Sequence, residues 1–252
     1  MQYLQPFLYF VRKPKTGYRN TLLGCLCPLI PIVGEMVLLG YRAEVSDELE
    51  RDPDLKDHPD FDLDRLMPYL NRGVWPYLSK VISLLILLTL GAIVALAAGI
   101  GFYQIVPEPI LAMAIGYLIY IAVFVLASTI VWPMEYHAQA MRKFAPLDDF
   151  KFAIRFAKVC WMSTFVAVLM HTMLSSIALM IGLLLCYIGI YPAIMIVQMA
   201  EQHLMSQLYR LYLEEGGTPI QRPVIEERRR YDEELDDEAE PPERARRVDP
   251  AE

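Results

Sequence analysis

The residue in this chain with the clearest potential for chemistry is Glu35, a charged side chain near the middle of apolar sequence. It lies in the stretch 21–41, four residues after Pro31. An ionisable group in such surroundings is costly, so it marks a functional site or a buried structural contact. A carboxylate at a proline break can accept hydrogen bonds from the N-terminus of the next helix. Two hypotheses follow for Glu35, a helix cap and a proton or cation site.

His171 and Ser175 complete the candidate intramembrane polar site. They lie one helical turn apart within apolar sequence, a spacing that permits a hydrogen bond on one helix face. Glu–x–His pairs also occur at 135–137 and 201–203. Residues two apart on a helix point about 200° away from each other, so neither pair forms a local metal site.

Motifs of known enzyme classes do not occur in the sequence. It contains no HExxH, no GxSxG, no Walker loop and no dinucleotide fingerprint. Cysteines within or beside apolar stretches are typical of helix packing, and all four are of this kind: Cys25, Cys27, Cys160 and Cys186. We predict no enzyme, and no catalytic, cofactor-binding or metal-binding residues.

Long stretches without Lys or Arg dominate the chain and must position these side chains. They are 21–41, 81–103, 110–131 and 159–200. Residues 81–103 carry no charge of either sign, and at about 1.5 Å rise per residue a helix of this length crosses a hydrocarbon core of about 30 Å. The pattern predicts an all-α, polytopic membrane protein with about four full spans.

Basic residues occur in every segment that borders an apolar stretch except the loop 104–109, which contains none. Because Lys and Arg favour the cytoplasmic side, 81–103 and 110–131 are predicted to form a hairpin with its tip outside. Both chain termini are then cytoplasmic.

Two apolar stretches contain helix breakers. Stretch 21–41 is interrupted at Pro28, Pro31 and Gly34, and proline disrupts a helix interior. It forms either a re-entrant hairpin, which suits its two basic flanks, or a kinked full crossing. Stretch 159–200 is long enough for two crossings, or for one long helix with a re-entrant return. Its candidate break points are Gly182, Gly189 and Pro192.

Outside the spans, three aromatic and basic segments are predicted to lie on the membrane surface as amphipathic helices. They are 3–11, 62–80 and 148–161. The helical membrane domain is predicted over 1–216, followed by a charged, mostly disordered cytoplasmic tail over 217–252 that could dock a protein partner. With a net charge of −7 and no basic face, the chain is not expected to bind nucleic acid.

The sequence LLGCLCPLIPIVGEMVLLGYRAEV, with PYLNRGVWPYLSKVISLLI after an acidic connector, resembles the opening of a bacterial membrane-protein family, domain of unknown function 4013. The segment GLLLCYIGIYPAIMIVQMAEQHLMSQLYRLYLEEGG is similar to the end of that family. The resemblance covers roughly residues 5–217, although HPDFDLDRL replaces the family's usual tryptophan–aspartate pattern. It implies an all-helical protein of the bacterial inner membrane, and it implies no activity.

Two functions are consistent with these patterns. The first is a non-enzymatic scaffold that organises lipids or partners, because interfacial segments are numerous and no catalytic constellation is present. The second is a small transporter or channel subunit that uses the proline-broken helices and Glu35. A water-accessible cavity around Glu35 or His171 would favour the second.

Overall fold

The computed structural model describes residues 3–4, 6–8, 14–51, 59–105, 108–185 and 188–223. These residues form helices and their connectors, which confirms the predicted all-α class. The helices are α1 Pro14–Gly24, α2 Val33–Arg51, α3 Leu66–Ile105, α4 Pro109–Met141, α5 Pro146–Leu184 and α6 Ile190–Glu214, with short 3-10 turns at Cys27–Leu29 and Leu63–Arg65.

Three of these helices are long and apolar enough to cross a membrane. The candidate spans are Leu63–Tyr103, Pro109–Met141 and Pro146–Leu184. A helix of 40 residues such as α3 extends about 60 Å, roughly twice the thickness of a hydrocarbon core. Each long helix is therefore longer than a single membrane crossing requires, and part of it would extend beyond the hydrocarbon core.

The two halves differ in how much protein surrounds them. We call residues 81–103, 110–131 and 159–184 the apolar half. In the most apolar part of the three spans, only 17%, 17% and 28% of residues are buried inside the protein. We call α2 together with 66–80, 132–158 and 201–214 the base, and most of the fully buried side chains lie there.

Two apolar clusters form most of the core, and α6 contributes to both. One cluster joins α4, α5 and α6 around Trp132, Phe156 and Leu208. The other joins α2, α3 and α6 around Tyr41, Tyr69 and Met199. Between its two contributions lie residues 200–203 of α6, which include Glu201 and Gln202. The polar side chains of α6 therefore enter the protein where the two clusters meet.

Two glycines bring α2 and α3 into backbone contact. A Cβ atom on Gly40 would lie 1.9 Å from the carbonyl oxygen of Tyr69, and one on Gly73 would lie 1.7 Å from that of Met36. Neither distance is physically possible, so both positions need hydrogen in place of a side chain. The crossing places α2 directly against the part of α3 that precedes its span.

The break in stretch 21–41 lies between α1 and α2. Pro28 is in the 3-10 turn, and Pro31 precedes the start of α2 at Val33. Gly34 lies inside the first turn of α2, where a Cβ would meet the carbonyl oxygen of Cys27 at 1.7 Å. Ile32 has a φ of 68°, a left-handed conformation that is strained for a β-branched residue.

Stretch 159–200 divides into one long helix and a short return. Helix α5 ends at Leu184 and α6 begins at Ile190, so Gly189 lies at the break and Pro192 in the first turn of α6. A Cβ on Gly189 would lie 2.7 Å from the carbonyl oxygen of Gly182, which keeps this turn tight. Only α5 is among the candidate spans, because the apolar part of α6 is short.

The segments 62–80 and 148–161 differ from the separate surface helices that we predicted. Residues 66–80 are the first part of α3, which accommodates Pro76 in its interior, and 148–161 lie within α5. The apolar residues of the second segment, such as Phe152 and Phe156, pack into the core. Residues 5 and 9–11 of segment 3–11 lie outside the described residues, so its prediction is not tested.

The compact helical unit covers Met1–Ile220, slightly more than the predicted 1–216. The backbone N–H groups of Thr218 and Ile220 donate to the hydroxyls of Tyr212 and Tyr209, at 3.1 and 2.9 Å. These bonds attach the residues after α6 to that helix. Most of the predicted disordered tail, 224–252, lies outside the described residues.

Candidate functional site: a buried charge network

Charged residues at the ends of the apolar stretches converge inside the protein. Arg42 follows stretch 21–41, Lys80 precedes 81–103, Glu135 comes four residues after 110–131, and Glu201 follows 159–200. They come from α2, α3, α4 and α6 respectively. With Glu35 they form what we call the charge network, which lies where the base meets the apolar half.

Arg42 is the centre of the network. Its Nη2 atom lies 3.1 Å from Glu135 Oε1 and 3.1 Å from Glu201 Oε1, and its Nε donates to Gln202 Oε1 at 3.3 Å. The side chain is 2% exposed. A buried charge is tolerated only when it is paired, and here one guanidinium joins three helices.

Lys80 extends the network to Glu35. Its Nζ atom lies 3.1 Å from Glu35 Oε1 and 3.5 Å from Glu135 Oε2. The second Glu35 oxygen accepts a hydrogen bond from Gln198 Nε2 at 2.8 Å. Glu35 lies in the first turn of α2, yet these hydrogen bonds join it to side chains of α3 and α6. It therefore acts as a bridge between helices.

The electrostatics of the network favour the charged forms of Glu201 and Arg42 despite burial. Burial alone would raise the pKa of Glu201, but Arg42 and Lys80 outweigh it and lower that pKa from 4.5 to about 2. Burial likewise opposes the charge on Arg42, while Glu201 and Glu135 raise its pKa. The acid and the base hold each other ionised.

A small cavity adjoins the network. The centre of a water molecule has about 10 Å³ of free space there. The lining residues are Arg42, Trp132, Glu135, Tyr136, Gln139, Glu201, Gln202 and Met205. Four buried polar atoms of these residues have no hydrogen-bond partner within the protein, and they are Arg42 Nη1, Glu135 Oε2, Gln139 Oε1 and Gln202 Nε2. Of these, Glu135 Oε2 is paired electrostatically with Lys80 Nζ at 3.5 Å, which leaves the other three for a further ligand.

The structure brings His171 and Ser175 together, as their spacing suggested. The Ser175 hydroxyl lies 3.2 Å from His171 Nε2. The imidazole packs edge-on against Trp132, with ring centres 5.0 Å apart, and against Phe7 at 5.6 Å. Because Trp132 also lines the cavity, an aromatic ring lies between His171 and the charge network. Among the described residues, Glu35 forms its hydrogen bonds with Lys80 and Gln198 and not with His171 or Ser175.

A second buried polar cluster lies in the base. His137 Nδ1 is 2.7 Å from Asp149 Oδ1, and the Ser79 hydroxyl donates to Asp149 Oδ2 at 3.0 Å. The same three residue types serve in hydrolases, but there the histidine stands between the other two. Here Asp149 is central and fully buried, and the His137 ring stacks on Phe152. The cluster joins α3, α4 and α5 and has no surface for a substrate.

Sequence reasoning selected Glu35 but not its partners. The available signal was positional, since Arg42, Lys80 and Glu201 each directly border an apolar stretch. Chemically, the network pairs two cations with three carboxylates inside the protein, and it can accommodate one small polar molecule in the cavity. Among the described residues, no group of three or more His, Cys, Asp or Glu is arranged to hold a metal ion.

Comparisons with other proteins do not extend this description. No family model, no curated protein and no solved structure matches the chain.

Proposed function

We propose that this chain is a non-enzymatic membrane protein that scaffolds partners or organises lipids from a rigid base. The observation that carries the proposal is the inward direction of its strongest polar groups. Arg42, Lys80, Glu135 and Glu201 neutralise one another across four helices, and the adjoining cavity has room for only one water molecule. Such a network stabilises one arrangement of helices and leaves the outer surface for contacts.

The proposed topology has three full spans and a base on the cytoplasmic side. Candidate spans support the count, and the Lys and Arg distribution supports the side. The short helix α6 returns from the α5 turn and reaches the base. We also propose a location in a bacterial inner membrane, in keeping with the resemblance to the bacterial family, with the acidic tail available for a protein partner.

The α1–α2 connector, residues 25–33, is proposed to dip shallowly into the same leaflet. Its side chains Leu26, Leu29, Ile30, Ile32 and Val33 are 46–58% exposed. Cys27 packs with Met195, six residues before Glu201, which is about 9 Å along α6 from the charge network. Amphipathic surface segments insert about 5–10 Å. This depth supports the re-entrant alternative in a shallow form.

Spin labelling tests this insertion. Ile30→Cys and Asp60→Cys are each introduced into a chain without other reactive cysteines, labelled, and reconstituted in nanodiscs. We expect the label at residue 30 to collide mainly with oxygen, and the matched label at residue 60 to collide mainly with a water-soluble nickel chelate. Preference for nickel at both positions would contradict the insertion.

Flux measurements test the scaffold function against its main alternative. Proteoliposomes holding the full chain are expected to conduct protons and alkali cations no faster than empty liposomes. The full chain is also expected to retain a stoichiometric protein or lipid partner in mild detergent. Flux above background, together with no retained partner, would contradict the scaffold proposal.

A small transporter or channel subunit is the second candidate. The observation that favours it is the partial exposure of the Glu35–Lys80 pair, whose side chains are 27% and 21% exposed at the border of the apolar half. A proton or cation could reach this pair. If it acts as an ion site, Glu35→Gln removes flux as completely as Glu35→Leu without changing thermal stability. If Glu35 only bridges helices, the Glu35→Gln variant is expected to be more stable than the Glu35→Leu variant, because an amide side chain can still form hydrogen bonds.

A further inference from the structure

We propose that the cavity beside Arg42 is a binding site for one ordered water molecule, held by Arg42, Gln139 and Gln202. All three side chains are buried, with residue exposures of 1–3%. Each presents one polar atom without a protein partner, and each lines the same cavity. A cluster of unpaired polar atoms this deep is costly unless a further molecule completes their hydrogen bonds.

Neighbouring residues determine which amide atoms face the cavity unpaired. Gln139 uses its Nε2 to donate to Glu135 Oε1 at 3.3 Å, which leaves its Oε1 as an acceptor. Gln202 uses its Oε1 to accept from Arg42 Nε at 3.3 Å, which leaves its Nε2 as a donor. Flipping either amide would place like groups against each other, so the orientation is set.

This combination of groups selects the chemical class of the ligand. Two donors, Arg42 Nη1 and Gln202 Nε2, disfavour a bare cation. The carboxylates of Glu135 and Glu201 on the same walls disfavour a bare anion. A water molecule accepts from both donors and donates to Gln139 Oε1. The free space of about 10 Å³ matches the room that one water molecule requires.

The bound water joins three helices at one point. Arg42 comes from α2, Gln139 from α4 and Gln202 from α6. Direct ion pairs already join these helices through Arg42, and the water connects the groups that those pairs leave unused. It thereby completes the hydrogen bonding of the arginine.

A density map of the full chain in nanodiscs or lipidic crystals, at a resolution that resolves ordered solvent, tests the proposal. We expect one peak at about 2.7–3.2 Å from the three unpaired atoms. An empty cavity would overturn the inference. So would an anomalous signal at this position after soaking with bromide or thallous salts, because it would identify an ion.

A pair of variants separates this site from other buried amides. Gln139→Met removes the acceptor and fills the cavity, and its map should lose the peak. Gln198→Met is the matched control, because Gln198 also has a buried unpaired oxygen but does not line the cavity. Its map should keep the peak. Persistence of the peak in Gln139→Met would overturn the site, and if that variant does not fold, the wild-type map and the salt soaks decide alone.

Discussion

The base and the apolar half are built from the same helices but are stabilised in different ways. In the base, side chains satisfy one another, from the Gly40–Gly73 crossing to the ion pairs of Arg42. In the apolar half, large side chains such as Leu96 and Ile110 are 67% and 82% exposed, which is the surface that the proposed topology gives to lipid. The comparison shows that the specific arrangement of the helices is determined mainly in the base, whereas the apolar half supplies a surface that matches the bilayer.

The largest effect is expected from breaking the centre of the charge network. Arg42→Met leaves Glu135 and Glu201 buried with Lys80 as the remaining cation of the charge network, and removing one partner of a buried pair costs about 3–5 kcal/mol. We expect the free energy of unfolding in mild detergent to fall by that amount, measured by denaturant titration.

Two control variants test whether this loss of stability is specific to the charge network. Arg19→Met removes an ion pair with Asp60 in which both side chains are more than half exposed, so we expect a change within about 0.5 kcal/mol. Leu96→Ala, in the lipid-facing surface of α3, should also have little effect in detergent. Equal losses in all three variants would contradict the special role of the base.

The second effect depends on pH. Because the folded-state pKa of Glu201 is lowered to about 2, its ionised form adds stability above about pH 4.5, and this is lost as the pH falls toward 2. Wild type should exceed Glu201→Gln by on the order of 2 kcal/mol at pH 6, and the difference should shrink between pH 4.5 and 2. A pH-independent difference in thermal unfolding experiments would show that the charge of Glu201 contributes nothing.

The third prediction compares glycines of one helix. Gly73→Ala places a Cβ against the Met36 carbonyl and forces α2 away from α3, at a cost of about 1–3 kcal/mol. Gly99→Ala in the apolar half meets no atom within 4 Å, and alanine favours the helix by up to about 1 kcal/mol. We expect Gly73→Ala to lower the free energy of unfolding and Gly99→Ala to raise it. A stable Gly73→Ala variant would contradict the close crossing.

The smallest effect is expected in the connector, which belongs to neither half. Ile32→Gly relieves the left-handed strain at φ 68° and removes an exposed side chain, so stability in detergent should rise by about 1 kcal/mol. Ile30→Gly is the control, since its φ of −109° is ordinary and glycine there only adds disorder to the unfolded chain. A loss of stability in both variants would show that the strain is unimportant.

The apolar half was largely predictable from sequence, because each span is a local property of one segment. Stretches 81–103 and 110–131 appear within α3 and α4, and stretch 159–200 breaks at Gly189. The prediction that 62–80 and 148–161 form separate surface helices was wrong. Helix α3 continues from 66–80 through Pro76 into its span without a break.

The charge network was less predictable, because its contacts join distant parts of the chain. Arg42 and Glu201 are 159 residues apart, and Glu35 and Gln198 are 163 apart. No local pattern states which carboxylate meets which cation. Sequence does show that a charge borders each apolar stretch, and packed helices that share one membrane border bring such charges to one level. That geometric rule could have suggested the cluster, though not its pairings.

The double contribution of α6 has a consequence for biogenesis. Met195 and Met199 complete one apolar cluster, Leu204 and Leu208 complete the other, and Glu201 supplies a carboxylate to Arg42. Because α6 follows the other described helices in the chain, neither cluster can close while the ribosome is still translating the earlier segments. We therefore expect the spans to insert before the base closes. Until α6 is synthesised, the charged residues of the earlier helices lack the carboxylate of Glu201.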